Sequence, residues 1–210
     1  LRRSQHQSWF GEEEHQAAQH VEEFLRHIRL HWLVRHLPPR IVWSSYVFIN
    51  SFLTIAILSL LAGITGSPFV FPSLGPTAYL FFFAPLGQSS SPRHAILGHA
   101  IGLLCGYGAY VAMGSHGFAI SSLGEVSWRE IMAAALSLAA TGAIMVLLRV
   151  SHPPAGATTL IVSLGILTRP EYLVIIEIAV ILLTAQAWAI NRIAGLDYPL
   201  WEKKPARTTA

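Results

Sequence analysis

The sequence predicts an all-α integral membrane protein with six membrane helices. Four are full spans and two are short or broken, arranged as two inverted three-helix repeats behind an amphipathic N-terminal helix. Three observations predict this. The 210 residues are 53% hydrophobic and 12% charged, with a mean hydropathy of +0.50, whereas soluble domains carry about 25% charged residues. Two similar stretches rich in proline and glycine interrupt the apolar sequence, each between a full span and a shorter apolar helix. The basic loop residues also gather on one side when the chain is threaded six times through a bilayer.

The charges are unevenly distributed. Between Ile41 and Asn191 they are Arg93, Arg129, Arg149, Arg169, Glu125, Glu130, Glu171 and Glu177 only. The net +3 therefore belongs to the two ends and does not argue for nucleic-acid binding. Cys105 is the single cysteine, which excludes a disulfide framework and a thiolate metal site.

Residues 1–40 form a polar N-terminus without the pattern of a signal peptide. From 12 to 35 the apolar Val21, Phe24, Leu25, Ile28, Trp32 and Leu33 recur at helical steps, too narrow a stripe to span but suited to the interface. His15, His20, His27, His31 and His36 lie here. His27 and His31 have two-ligand spacing, but no carboxylate or cysteine completes a set, and no metal or cofactor is expected. Pro38-Pro39-Arg40 turns the chain inward.

The membrane domain covers 41–193, with repeat one at 41–113 and repeat two at 128–193, followed by a basic tail at 194–210. The first span, 41–65, carries Asn50, which must face protein or a cavity. Residues 66–77 hold three prolines and two glycines, so regular helix is excluded there, and a short helix is expected over 78–86. A polar break at 87–93 precedes a span at 94–113. That span carries His99 and a glycine ridge, Gly98, Gly102 and Gly106, suited to close packing in the bundle or between subunits. A polar loop at 114–127 leads to a span at 128–150. Ser151-His152-Pro153-Pro154-Ala155-Gly156-Ala157-Thr158-Thr159 then reads as a helix start, with apolar sequence to about 167. The last span, 171–191, contains Glu177, which either pairs with an arginine or snorkels.

Laying Gly75 on Gly156 brings out the repeat as a shared Pro-x-x-Gly-x-Thr. Six crossings put Arg93, Arg149, Arg192, Lys203 and Lys204 inside and leave Arg129 and Arg169 outside, while four crossings put Arg93, Arg149 and Arg169 outside. Inverted repeats with broken helices are a transporter plan whose site lies where the breaks meet. A helix start offers unpaired N–H groups to an anion.

With Phe71-Pro72-Ser73-Leu74-Gly75-Pro76-Thr77-Ala78 upstream, the His152-Pro153-Pro154 stretch resembles the HPP family of integral membrane proteins, over residues 40–195. The resemblance implies a compact domain usually described with four transmembrane helices, two fewer than the crossings counted above. It also implies anion transport, cyanobacterial and chloroplast members being associated with nitrite. Some relatives carry CBS regulatory domains, and nothing in this chain is long enough to be one.

The expected function is therefore transport of a small monovalent anion, nitrite first among candidates, in a bacterial cytoplasmic membrane with both termini cytoplasmic. The expected binding residues are Ser73, Gly75, Thr77, His152, Gly156, Ala157, Thr158 and Thr159. Asn50, Arg93, His99 and Arg149 stand in a second shell or along the path. The partners are the lipid bilayer, the anion and a second copy through the Gly98/Gly102/Gly106 face. The alternatives are a membrane scaffold or sensor and a cation or metal transporter. No enzyme is expected, because the spans hold no activated nucleophile or acid pair.

Overall fold

A computed structural model describes residues 30–114, 127–167 and 169–202. They form seven α-helices and a 3-10 turn, Gln88–Ser90. The helices are α1 Leu30–His36, α2 Pro39–Thr65, α3 Leu74–Phe83, α4 Pro92–Met113, α5 Trp128–Leu147, α6 Ala155–Ser163 and α7 Pro170–Ile193. Four of them, α2, α4, α5 and α7, are long and apolar enough to cross a membrane. The ten residues of α3 and nine of α6 reach about 15 Å each, roughly half the hydrocarbon core. Most of the N-terminal segment, His15, His20 and His27 included, lies outside the described residues.

Proline opens three of the long helices, α2, α4 and α7, where its fixed φ suits the first turn and its missing N–H is not needed. α5 starts instead on a reciprocal cap, with Ser127 and Glu130 each bonding the other's backbone N–H. The ends of α5, α6 and α7 share a second device. Val150, Ile166 and Leu196 donate back to Met145, Ile161 and Asn191, and the preceding residue donates to Val146, Val162 or Arg192. This double bond requires left-handed backbone at the residue past the cap. Gly165 (φ 78°) and Gly195 (φ 82°) supply it for α6 and α7, and Arg149 (φ 53°) adopts it for α5.

The short helices begin and end differently from expectation. α3 starts at Leu74, four residues before the expected start, and takes Gly75 and Pro76 into its first turn. First-turn N–H groups have no intrahelical acceptor, so Pro76 does not break the helix there. α6 ends at Ser163, short of residue 167, where Gly165 turns the chain.

Hydrogen bonds between helix ends show which ends neighbour one another. Leu30 donates to Ala194 O (3.0 Å) and Arg93 N–H to Trp201 O (3.0 Å). The Arg93 guanidinium reaches Leu148 O (3.1 Å) and Arg149 O (3.3 Å). The starts of α2 and α4 and the ends of α5 and α7 therefore share one end of the bundle. At the other end, Arg129 beside the start of α5 meets Gly114 O at 3.5 Å. The main core runs through Leu58 of α2, Phe81 of α3, Leu103 of α4, Val162 of α6 and Leu183 of α7.

The glycine ridge packs inside the chain, which corrects the expectation of a homo-oligomer face. A Cβ on Gly98 would sit 2.7 Å from His152 Cβ, on Gly102 2.8 Å from Ala155 O, and on Gly106 2.7 Å from Thr159 O. These are separations that no side chain tolerates. The ridge is the bed on which the His-Pro-Pro lead-in and α6 lie, so it is not available to a second copy.

Candidate functional site

The two motifs meet in the bundle interior. In the second, Ala155, Gly156 and Ala157 donate in succession to the carbonyls of His152, Pro153 and Pro154 at 3.0, 3.0 and 3.1 Å. The prolines hold φ near the helical value, so the lead-in winds as a tight turn and its carbonyls take the first amides of α6. This corrects one expectation: the N–H groups of Gly156 and Ala157 are spent within the motif, and a helix start alone is no anion cradle here. In the first motif Leu74 donates to Phe71 O at 3.0 Å. Ser73, at the N-cap of α3, makes no side-chain cap bond. Its hydroxyl crosses to the other motif.

There the Ser73 Oγ lies 2.6 Å from Thr158 Oγ1, and Thr158 Oγ1 lies 2.7 Å from His99 Nδ1. His99 Nε2 is 3.0 Å from Thr77 Oγ1, which is 3.3 Å from His152 Nε2. Thr77 Oγ1 is also 3.0 Å from the Ser73 carbonyl. Beside this chain, Thr159 Oγ1 is within 3.0 Å of both Ala155 O and Thr141 Oγ1. Ser73, Thr77, His99, His152, Thr158 and Thr159 are all fully buried.

The proton positions follow from one fixed point. His152 Nδ1 is 2.8 Å from Ser89 O, and a carbonyl only accepts, so Nδ1 carries hydrogen. In the neutral ring Nε2 is then an acceptor, and the single Thr77 hydroxyl proton is shared between it at 3.3 Å and the Ser73 carbonyl at 3.0 Å. Thr77 in turn receives from His99 Nε2–H, leaving His99 Nδ1 to accept from Thr158, which accepts from Ser73. Every side chain in this chain is then satisfied, as burial requires.

A second cluster faces the end of the bundle beside Arg93. Ser151 N–H donates to His94 Nδ1 at 2.8 Å, so the 3.3 Å approach of that nitrogen to Ser151 O is not a hydrogen bond, because a nitrogen that accepts cannot also donate. His94 Nε2–H points to Glu202 at 3.3 Å, and Arg93 pairs with the same carboxylate at 2.9 Å. The buried Tyr198, whose phenol burial pushes above its ordinary value, donates to Ser90 O. The segment after α7 is thus pinned over the His-Pro-Pro motif, and Ser89 and Ser151 share a hydroxyl contact at 3.1 Å.

Of the expected binding residues, the structure brings together Ser73, Thr77, His152, Thr158 and Thr159. Gly75 is exposed on the opposite side of α3 from this cluster, with open space at its Cβ position. Gly156 is half-buried and faces Leu138, and Ala157 is half-buried too. His99, expected on the path, stands at the centre. Asn50 bonds to Tyr46 O in its own helix at 2.8 Å, Arg93 joins helix ends, and Arg149 is exposed. Glu177 is half-buried, and its Oε2 has no hydrogen-bond partner.

Sequence reasoning missed Thr141, His94, Ser89 and Asn191. The last accepts from Tyr46 at 2.7 Å and donates to Phe81 O at 3.2 Å, tying α2, α3 and α7. A signal for Thr141 was present, since Ser137 and Thr141 stand four apart on an otherwise apolar span. Hydroxyls and imidazoles both donate and accept, so the centre suits a small polar solute or a proton. Among the described residues no group of three or more His, Cys, Asp or Glu is placed to hold a metal ion. A family model described as "HPP, transmembrane region" matches residues 36–199. No curated protein and no solved structure matches the chain.

Proposed function

The chain belongs to the HPP transmembrane family, and from that premise we propose that it transports a small monovalent anion at the junction of its two motifs, with nitrite the first to test. The observation that carries this reading is the 2.6 Å contact of Ser73 with Thr158, which joins the two helix breaks in one buried polar centre. Breaks of this kind survive at membrane depth only where protein buries them or a wet path runs. An ordinary bundle of long helices has no need of them.

The same register supports an inverted-repeat plan. Laying Gly75 on Gly156 also lays Leu74, the first residue of α3, on Ala155, the first of α6. It lays Met113, the last of α4, on Ala194, one past the end of α7. The starts of α2 and α4 neighbour each other at one end, so the stretch between them, lead-in plus α3, makes a net crossing. The stretch between α5 and α7 makes another in the opposite sense, giving six crossings. The end carrying Arg93, Arg149 and Arg192 faces the cytoplasm in this reading.

An anion entering the centre replaces hydroxyl–hydroxyl and hydroxyl–imidazole bonds by O–H donation from Ser73, Thr77 and Thr158. The buried donors stay satisfied, so selectivity follows from size and acceptor geometry. The test is uptake of nitrite, nitrate, chloride and formate by liposomes containing the purified chain. Flux of at least one above empty vesicles is expected. No flux of any of them overturns the reading.

A further inference from the structure

We infer that the His99–Thr77–His152 chain takes up one proton for each anion that enters, making the protein a proton–anion symporter. This rests on the anion reading above and adds to it the coupling ion and the stoichiometry.

The first argument is charge. The centre is fully buried and lies between membrane-length helices, where an unpaired charge is costly. Among the described residues, no arginine or lysine side chain is hydrogen-bonded to the centre, and Arg40 at the start of α2 is exposed. α6 and the 3-10 turn carry no titratable side chain, and α3 carries only Tyr79, which is exposed. On α5 the ionisable groups are Arg129 and Glu130 at its far start, the latter spent in the cap. Just past its end Arg149 is exposed. On α4, Arg93 and His94 are engaged with Glu202. α7 offers Glu171, Tyr172, Glu177 and Arg192, and the segment beyond it Asp197, Tyr198 and Glu202, with Arg192 bonded to Asp197 at 3.2 Å. The two central imidazoles are the groups positioned to place a positive charge against the anion.

The second argument is that the chain accepts that proton without moving a heavy atom. In the neutral state donation runs from Ser73 through Thr158 to His99, and from His99 to Thr77, whose one hydroxyl proton is divided between the Ser73 carbonyl and His152. Add a proton at His152 Nε2, and that nitrogen donates to Thr77, Thr77 to His99 Nε2, His99 Nδ1–H to Thr158, and Thr158 to Ser73. The distances of 2.6–3.3 Å serve both directions. One proton is gained, the Nδ1–H to Ser89 O is kept, and the Ser73 hydroxyl hydrogen is released from Thr158 to donate to the anion. Protonation and anion binding therefore favour each other. The limit is one proton, since the rings are 5.0 Å apart and two charges at that distance repel strongly in a low-dielectric site.

The experiment uses the purified full chain in liposomes that enclose a pH-sensitive dye, with nitrate and nitrite as separate probes. The expected result is one proton entering per anion and accumulation of about tenfold per pH unit of imposed gradient (inside alkaline), unchanged by a valinomycin–potassium potential. Accumulation that follows the potential without proton entry overturns the inference and leaves anion transport standing. No anion flux under either gradient overturns the anion reading itself. His99→Gln and His152→Gln should lose the pH-driven accumulation. Because these two variants alter a packed core, Thr77→Val and Thr77→Ser provide the second comparison. Valine should lose proton coupling and serine keep it, and equal coupling in both overturns the relay.

Discussion

The Ser73 hydroxyl lies 2.6 Å from that of Thr158, 85 positions along the chain. It spans the distance between motifs because it does not cap its own helix. Ser73→Ala and Thr158→Val should each lower stability by about 1–3 kcal/mol, the cost of leaving a buried partner unsatisfied. Combined, they should cost less than the sum of the two. Thermal unfolding in detergent measures all three variants, and simple additivity would mean the hydroxyls do not act as a pair.

Gly102 sits where a Cβ would be 2.8 Å from Ala155 O and 2.9 Å from Thr159 Oγ1, whereas Gly142 on α5 has nothing within 4 Å. Gly102→Ala should therefore destabilise the protein by about 1–3 kcal/mol. Gly142→Ala should be neutral or stabilising by up to about 1 kcal/mol, through helix propensity alone. Similar melting temperatures for the two variants would contradict the packing of α6 on α4.

Arg149 adopts φ 53° at the one such helix end that lacks a glycine. Left-handed backbone costs a side-chain-bearing residue about 1–2 kcal/mol. Arg149→Gly should raise the melting temperature, with Arg93 still bonded to the residue 149 carbonyl. A clear fall would mean that the exposed arginine side chain contributes more than its backbone costs.

Six crossings put Gln88 and Trp201 on one membrane face and Ser67 and Arg169 on the other. Single cysteines at these positions, on a Cys105→Ser background, should react with an impermeant thiol reagent from opposite sides in sealed oriented vesicles. Labelling of Ser67→Cys and Gln88→Cys from the same side would establish that the first short helix returns instead of crossing.

Much of this arrangement is legible in the sequence. The four long helices appear as apolar stretches of spanning length, and proline marks three of their starts. The repeat points to the meeting of the two motifs, because Thr77 and Thr158 hold equivalent places. What sequence cannot supply is the rotation of a helix about its own axis. Gly75 and Thr77 are two residues apart on α3, yet one faces outward and the other the centre. Asn50 looks like a buried polar group in need of a distant partner, but a carbonyl one turn away satisfies it. The glycine ridge reads as a face for close approach, and only the fold shows that its partner is the chain's own His-Pro-Pro motif. Pro76 reads as a breaker in the sequence, because its position in the first turn depends on where α3 begins.

The central claim is that residues of both motifs form one anion site, and anion uptake by Thr77→Val and Thr158→Val in liposomes tests it most directly, with Ser67→Ala, half-buried in the loop after α2, as reference. Each valine variant should lose at least about tenfold in flux, the equivalent of one charge-assisted hydrogen bond of roughly 1.4 kcal/mol or more, while eluting as wild type. Flux in both valine variants equal to that of Ser67→Ala would contradict the claim and move the site away from the junction of the motifs.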